Sequence, residues 1–288
     1  MQIGLTLVIV GVVVHQFEAM IVKSYGNKNN KGGFFFNAII CLFATIYFFV
    51  TDKGGLQFNA AVCTYGVINS IMYATGFYAT FLAFKWGSFG LTRLLISFGI
   101  IISTFYGIVF LKEPATYLTY LSLAMILLSL SLMNYQKKND SGQKITLKWI
   151  VAVILTIVSN AFITIIGRMQ FGEFGDTYTN EFLIISLMGS SIFLFVLGMI
   201  FERKYFKNTL KTGLLYGAGA GVCNGINNLI VLVTYNYFPI SIASPLKSGL
   251  SIVASFLVSL VIYKEKFCKR QIASVIIGII AVILINLK

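Results

Sequence analysis

Apolar residues fill this chain in long blocks, separated by short stretches that hold most of its lysine, glycine, asparagine and acidic positions. A helix needs roughly 20 largely apolar residues to cross a hydrocarbon core about 30 Å thick. Ten blocks meet that requirement, at about 3–22, 33–51, 59–84, 88–111, 115–135, 147–167, 180–201, 212–235, 240–263 and 270–287. Most breaks are short: KSYGNKNNKGG, TDKGG, KWGSFG, KEPA and YKEKFCKRQ. Two further polar breaks, QKKNDSGQK (136–144) and RMQFGEFGDTYTNE (168–181), leave no room for a soluble domain either. The pattern predicts an all-α, polytopic membrane protein of ten transmembrane helices, with its work done within or across the bilayer.

The break at 136–144 divides the blocks five and five, and the halves echo each other. In each, the fourth block ends in Lys-Glu (Lys112-Glu113 and Lys264-Glu265) and a short loop leads into a final block. The two pairs stand 152 residues apart with the flanking blocks in register, which is the mark of an internal repeat. Five is odd, so the second half enters the membrane from the opposite side. The expected organisation is two inverted-topology five-helix repeats, 1–137 and 145–288. Many secondary transporters are built this way, with the binding site between the repeats.

Composition agrees. The 288 residues are 58% hydrophobic and 11% charged, against about 25% charged in a soluble domain. The net charge of +13 comes from Lys and Arg strung between blocks, which sets membrane orientation and makes no nucleic-acid surface. Cys41, Cys63, Cys223 and Cys268 lie far apart without metal-ligand spacing. The opening MQIGLTLVIVGVVV has no basic leader region or small-residue cleavage site, so it reads as a retained first span. No P-loop and no nucleophile–His–carboxylate set is present. The chain is therefore read as no enzyme, without a cofactor or metal, and powered by an ion or substrate gradient.

The ten blocks, the two halves and the Lys-Glu turn after the fourth block of each resemble the drug/metabolite transporter superfamily, in its EamA-like branch. The likeness covers the whole chain. Family members commonly carry Gly-Glu at that turn, where this chain has Lys-Glu. The resemblance implies a ten-helix basket whose cavity is lined mainly by the first, third, fourth, sixth, eighth and ninth helices. Substrates across the superfamily include amino acids, choline-like cations, nucleotide sugars and sugar phosphates. Orientation divides the two lines of reasoning. The resemblance puts both termini in the cytoplasm, which leaves about four Lys or Arg inside and about sixteen outside. The rule that cytoplasmic loops are basic puts both termini outside.

An ionisable group inside a span is costly to bury unless paired or hydrated, and so marks candidate function. The first block carries His15, Gln16 and Glu18, the fourth Arg93 and the ninth Lys247. Asn69, Tyr73 and Tyr78 lie in the third, Asn160 in the sixth, and Asn224, Asn227 and Asn228 in the eighth. Helix direction puts His15, Glu18, Tyr78 and Arg93 in one half of the bilayer. Asn227, Asn228 and Lys247 fall in the other half, with Asn160 and Asn224 nearer the midplane.

Lys247 is about 7 residues into its block, roughly 10 Å deep at 1.5 Å per residue. It reads either as a snorkelling anchor or as a cavity cation. Pro245 favours the cavity, because it frees the Ser241 carbonyl and loosens the helix, a hinge tolerated where a cavity or neighbour satisfies the backbone. Arg93 reads equally as an interfacial arginine or a substrate clamp. Glu18 either pairs with Arg93 or Lys23 or serves as a proton-coupling carboxylate, with His15 as a second titrating group or a packing residue. Asn224, Asn227 and Asn228, at i, i+3 and i+4, share one helix face and read as cavity lining. GAGAG (217–221) reads as close helix packing.

The expected function is secondary active transport of a small polar organic metabolite, an amino acid or an anion bearing a carboxylate or phosphate, across a bacterial cell membrane by alternating access. Lys247 and Arg93 would bind the anion, with Tyr73, Tyr78, Asn69, Asn160 and the three eighth-block asparagines around it. The alternative is a proton-coupled exporter of cationic or aromatic compounds working through Glu18. The expected partners are a small molecule, the bilayer and protons as coupling ion, with no nucleic acid, in a monomer or homodimer.

Overall fold

The computed structural model describes residues 2–29, 32–52, 54–86, 92, 95–96, 99–113, 115–133, 146–261 and 269–286. Among these the chain forms ten α-helices and one 3-10 turn, with no strand. The first five helices are α1 (Gln2–Lys28), α2 (Gly33–Thr51), α3 (Ala60–Trp86), α4 (Gly99–Val109) and α5 (Tyr117–Met133). Then come α6 (Leu147–Phe174), α7 (Thr179–Phe201), the 3-10 turn Arg203–Tyr205, α8 (Phe206–Thr234), α9 (Ile240–Val261) and α10 (Lys269–Asn286). Among the described residues, six stretches are long and apolar enough to cross a membrane: Gln2–Gly26, Gly33–Thr51, Ala60–Trp86, Leu147–Phe174, Thr179–Phe201 and Arg203–Thr234. Their outer faces expose Ile3, Val50, Leu147 and Leu215, while Gln16, Glu18, Asn37, Asn69, Asn224 and Asn227 are buried. Large apolar groups outside and polar groups within is the partition that lipid solvation selects.

Several helices outrun their apolar blocks. α6 continues through Arg168, Gln170 and Glu173 to Phe174, so most of the stretch 168–181 is helical and not loop. Polarity does not end a helix; a cap does. The stop is Gly175, whose φ of 61° suits glycine and whose N–H closes on the Phe171 carbonyl. Likewise α1 runs on to Lys28 and α8 begins at Phe206, six residues ahead of its block. The break at 136–144, the turn Lys264-Glu265, and Arg93 lie outside the described residues.

The packing has a regular scheme. α1 packs on α8 and α9, α2 on α7 and α8, α3 on α6 and α7, α4 on α6 and α9, and α5 on α10. Shifting every helix number by five turns α1–α8 into α6–α3, α2–α8 into α7–α3, and α1–α9 into α6–α4. The pairs α2–α7, α4–α9 and α5–α10 map onto themselves.

The α2–α8 crossing is close because α8 is glycine-lined there. A Cβ on Gly221 would fall 2.5 Å from the Ile40 carbonyl oxygen and 3.1 Å from the Ala44 nitrogen. One on Gly217 would meet Ile39 Cγ2 at 2.5 Å. GAGAG is thus helix packing, as its small-residue spacing suggests.

Polar ties fasten both ends of the bundle. At one end Glu202 accepts from the Phe34 N–H and Lys28 donates to the Tyr216 hydroxyl. At the other, Glu181 accepts from the Gln57 N–H, Asp52 from the Asn180 amide and Glu173 from the Tyr65 hydroxyl.

Candidate functional site

Four side chains from three helices form a buried file. Tyr73 Oη on α3 donates to Asn228 Oδ1 at 2.9 Å. Asn228 Nδ2 donates to Asn224 Oδ1 at 2.8 Å, within α8. Asn224 Nδ2 donates to Glu18 Oε1 on α1 at 2.9 Å. Every donor points toward the carboxylate, so the amide and hydroxyl dipoles stabilise its charge where water is largely excluded. Tyr73, Asn224 and Glu18 are all buried, Glu18 to 7% exposure.

The next amide on the same face of α8 takes a cation. Asn227 Oδ1 accepts from Lys247 Nζ of α9 at 3.4 Å. Asn224 and Asn227 are three residues apart on one helix, neighbours about 5–6 Å apart at Cβ. The helix thus holds a carboxylate and an ammonium one turn from each other. Space for this comes from α1, where a Cβ on Gly11 would lie 2.9 Å from Ile230 Cγ2 and 3.8 Å from Asn227 Oδ1. Beside it, Gln16 Nε2 of α1 reaches the Ser251 carbonyl of α9 at 3.5 Å, so α1, α8 and α9 share one polar contact zone.

The sequence places Glu18 in one half of the bilayer and Asn227 and Asn228 in the other, as two clusters, with Asn224 nearer the midplane. The structure joins them, because Asn224 near the midplane bridges from Glu18 to Asn228. Other candidates lie outside the file. Tyr78 stacks on Phe34 at 3.6 Å between centroids. Asn69 Nδ2 donates to Ser186 Oγ on α7 at 3.4 Å. Asn160 is exposed, its Oδ1 within 3.6 Å of where a Cβ on Gly76 would sit, at the α3–α6 contact. His15 is half-buried on α1, three residues before Glu18 and so on its face. Pro245 is buried in the second turn of α9.

A second constellation involves Glu113, which the sequence marks only as a repeat signature, and Arg168, which it assigns to a loop. Glu113 Oε1 accepts from Arg168 Nε at 3.1 Å and from the Ile240 N–H at 3.2 Å. Its Oε2 accepts from the Ser241 N–H at 2.9 Å. The carboxylate therefore caps the start of α9, where free N–H groups and the helix dipole favour an anion. The Arg168 guanidinium also lies over the Tyr235 ring, 5.6 Å from its centroid. The echoed Lys-Glu turn was the signal in the sequence; its target was not.

Residues 147–287 match the EamA-like transporter family. No curated protein matches the chain. A solved structure described only as "Crystal structure of protein" aligns with a TM-score of 0.79 over 99% of this chain and 97% of its own, at 10% identity. At that identity the likeness shows the fold alone.

Proposed function

From the premise that residues 147–287 belong to the EamA-like transporter family, we propose that this multi-pass membrane protein is a secondary transporter of an amino acid or similar small zwitterion. The observation that carries the substrate class is the pairing on α8. Asn224 holds the carboxylate of Glu18 and Asn227 holds the ammonium of Lys247, one helical turn apart. A substrate bearing an ammonium and a carboxylate can replace both asparagine contacts at once, its cation toward Glu18 and its anion toward Lys247. Tyr73 and Asn228 complete a polar wall, and charge-assisted hydrogen bonds of this kind are the strong ones. Arg93 is a second cation for an anionic substrate, and His15 a second proton carrier beside Glu18. Tyr78, Asn69 and Asn160 serve the outer parts of the path.

Alternating access rests on the packing scheme. The helix contacts map onto themselves when the numbers shift by five, as two inverted five-helix repeats, 1–137 and 145–288, require. In this reading ten helices cross the cell membrane, and α1, α8 and α9 move against their counterparts α6, α3 and α4. Pro245 lets the first turns of α9 rotate without carrying the whole helix.

Thermal-shift screening of the purified protein against amino acids, organic acids, phosphorylated sugars and quaternary amines tests this reading. An amino acid should raise the Tm of the wild type and not of Lys247→Ala or Glu18→Gln. A shift with quaternary amines alone, lost only in Glu18→Gln, would replace it with a proton-coupled cation exporter.

A further inference from the structure

Between α2, α7 and the start of α8 lies a groove of about 390 Å³. Its α2 wall is built at positions 35, 38, 39 and 42 and its α7 wall at 188, 191, 192 and 195, one stripe of each helix. Seven residues of helix make it about 10 Å long. Leu42, Ile192, Phe195 and Leu210 on its rim are exposed, so it opens on the lipid side of the bundle. Ser191 is the one lining residue with a polar side-chain group, and its hydroxyl is turned away to donate to the Ala38 carbonyl at 2.8 Å. The groove thus offers nothing to a polar metabolite. It suits a hydrocarbon chain.

One end of the groove is closed by a box of phenyl rings. Phe35, Phe195 and Phe206 have centroids 5.1 to 5.9 Å apart. At this end the chain carries Arg203, Lys204 and Lys207, with Lys211 about one turn further along α8, all exposed. The nearby carboxylate, Glu202, is engaged by the Phe34 N–H. The apolar slot therefore ends at a concentrated positive charge, at the level where a spanning helix leaves the hydrocarbon.

We propose that this groove binds an anionic diacyl phospholipid, with one acyl chain between α2 and α7 and the phosphate against the basic start of α8. The charge decides among the occupants. A second copy of this chain would bring the same cations onto the same place. A zwitterionic headgroup would set its own cation among four others. An anionic headgroup is attracted by each nearby Lys or Arg. This inference is independent of the transport reading, because none of the residues of the amide file lines the groove, which meets only the first two turns of α8.

Native mass spectrometry of the full chain in detergent, with dioleoyl phosphatidylglycerol against dioleoyl phosphatidylcholine, is the test. The wild type should retain one phosphatidylglycerol with roughly tenfold preference. Ile192→Trp, at an exposed rim position, should fill the slot and lose that lipid. Arg203→Ser with Lys204→Ser and Lys207→Ser, all at exposed positions, should keep the fold and lose the preference. Equal retention of the two lipids by the wild type would overturn the proposal. So would unchanged retention in a folded Ile192→Trp, an unchanged preference in the triple variant, or displacement of the lipid by equimolar oleate.

Discussion

Glu113 and Ser241 stand 128 residues apart in sequence and 2.9 Å apart in space, the carboxylate of one accepting the N–H of the other. The same carboxylate holds Arg168, whose side chain is 20% exposed against 6% for Glu113. Removing one partner of a buried charge pair costs about 3–5 kcal/mol. Glu113→Ala should therefore lower the Tm in detergent by several degrees, at the lower end of that range because Arg168 keeps some water. Glu113→Gln, which keeps an acceptor for α9 but not the charge, should fall between it and wild type. Thermal unfolding of the three proteins checks the order.

Lys112 sits at φ 51°, a left-handed conformation, and it swings Glu113 toward α9. That conformation costs an L-residue about 1–2 kcal/mol. It also gives a physical reason for the Gly-Glu form of this turn in the family that the chain resembles. Lys112→Gly should hold or raise the Tm, whereas Lys112→Val should lower it, since β-branched residues tolerate that region worst. A scan in which valine matched glycine would show that the turn is not strained.

Gly221 leaves no room for a side chain, because its Cβ would press on the Ile40 carbonyl and the Ala44 nitrogen, both backbone. Gly221→Ala must part α2 from α8 by a few tenths of an ångström or more. Overpacking of this kind costs about 1–3 kcal/mol. Gly219→Ala meets only the end of Ile21 at 3.5 Å and should be neutral. Melting curves of the pair read the difference directly.

Ligand affinity should depend on Lys247 in a graded way. Losing a hydrogen bond to a charged group costs about 1.5–3 kcal/mol, roughly ten- to a hundredfold in affinity. Lys247→Ala should weaken the ligand and Lys247→Arg should recover part of the loss, whereas Asn227→Ala removes only the contact that the ligand displaces and should not weaken it. Isothermal titration with the ligand found by thermal shift measures all three. Ile154→Ala, at an exposed position on α6 with no part in the path, should leave the affinity within twofold.

Orientation has its own expected outcome. Arg203, Lys204, Lys207 and Lys211 gather at the end opposite Glu113 and Glu173. By the distribution of basic loops that end faces the cytoplasm. In intact cells of a cysteine-free variant, a cysteine at Asp176 should react with an impermeant maleimide and one at Asn208 should not. The reverse pattern would put the termini in the cytoplasm.

The blocks of apolar residues by themselves determined that the chain is helical and membrane-embedded, because a hydrocarbon solvent demands an apolar surface and internally satisfied backbone. They also located Glu18, Asn224, Asn227, Asn228 and Lys247, since a polar residue in such a block stands out against its surroundings. Helix ends were less legible. α6 passes Arg168 and stops at Gly175, because local geometry and capping end a helix while hydropathy marks only where lipid ends. Partnerships were not legible at all. That Asn224 reaches Glu18, that Glu113 caps α9, and that Lys247 meets Asn227 depend on which helices lie side by side. Contacts between residues 20 to 206 positions apart are fixed by close approach at glycines such as Gly11 and Gly221, and only the assembled bundle decides them.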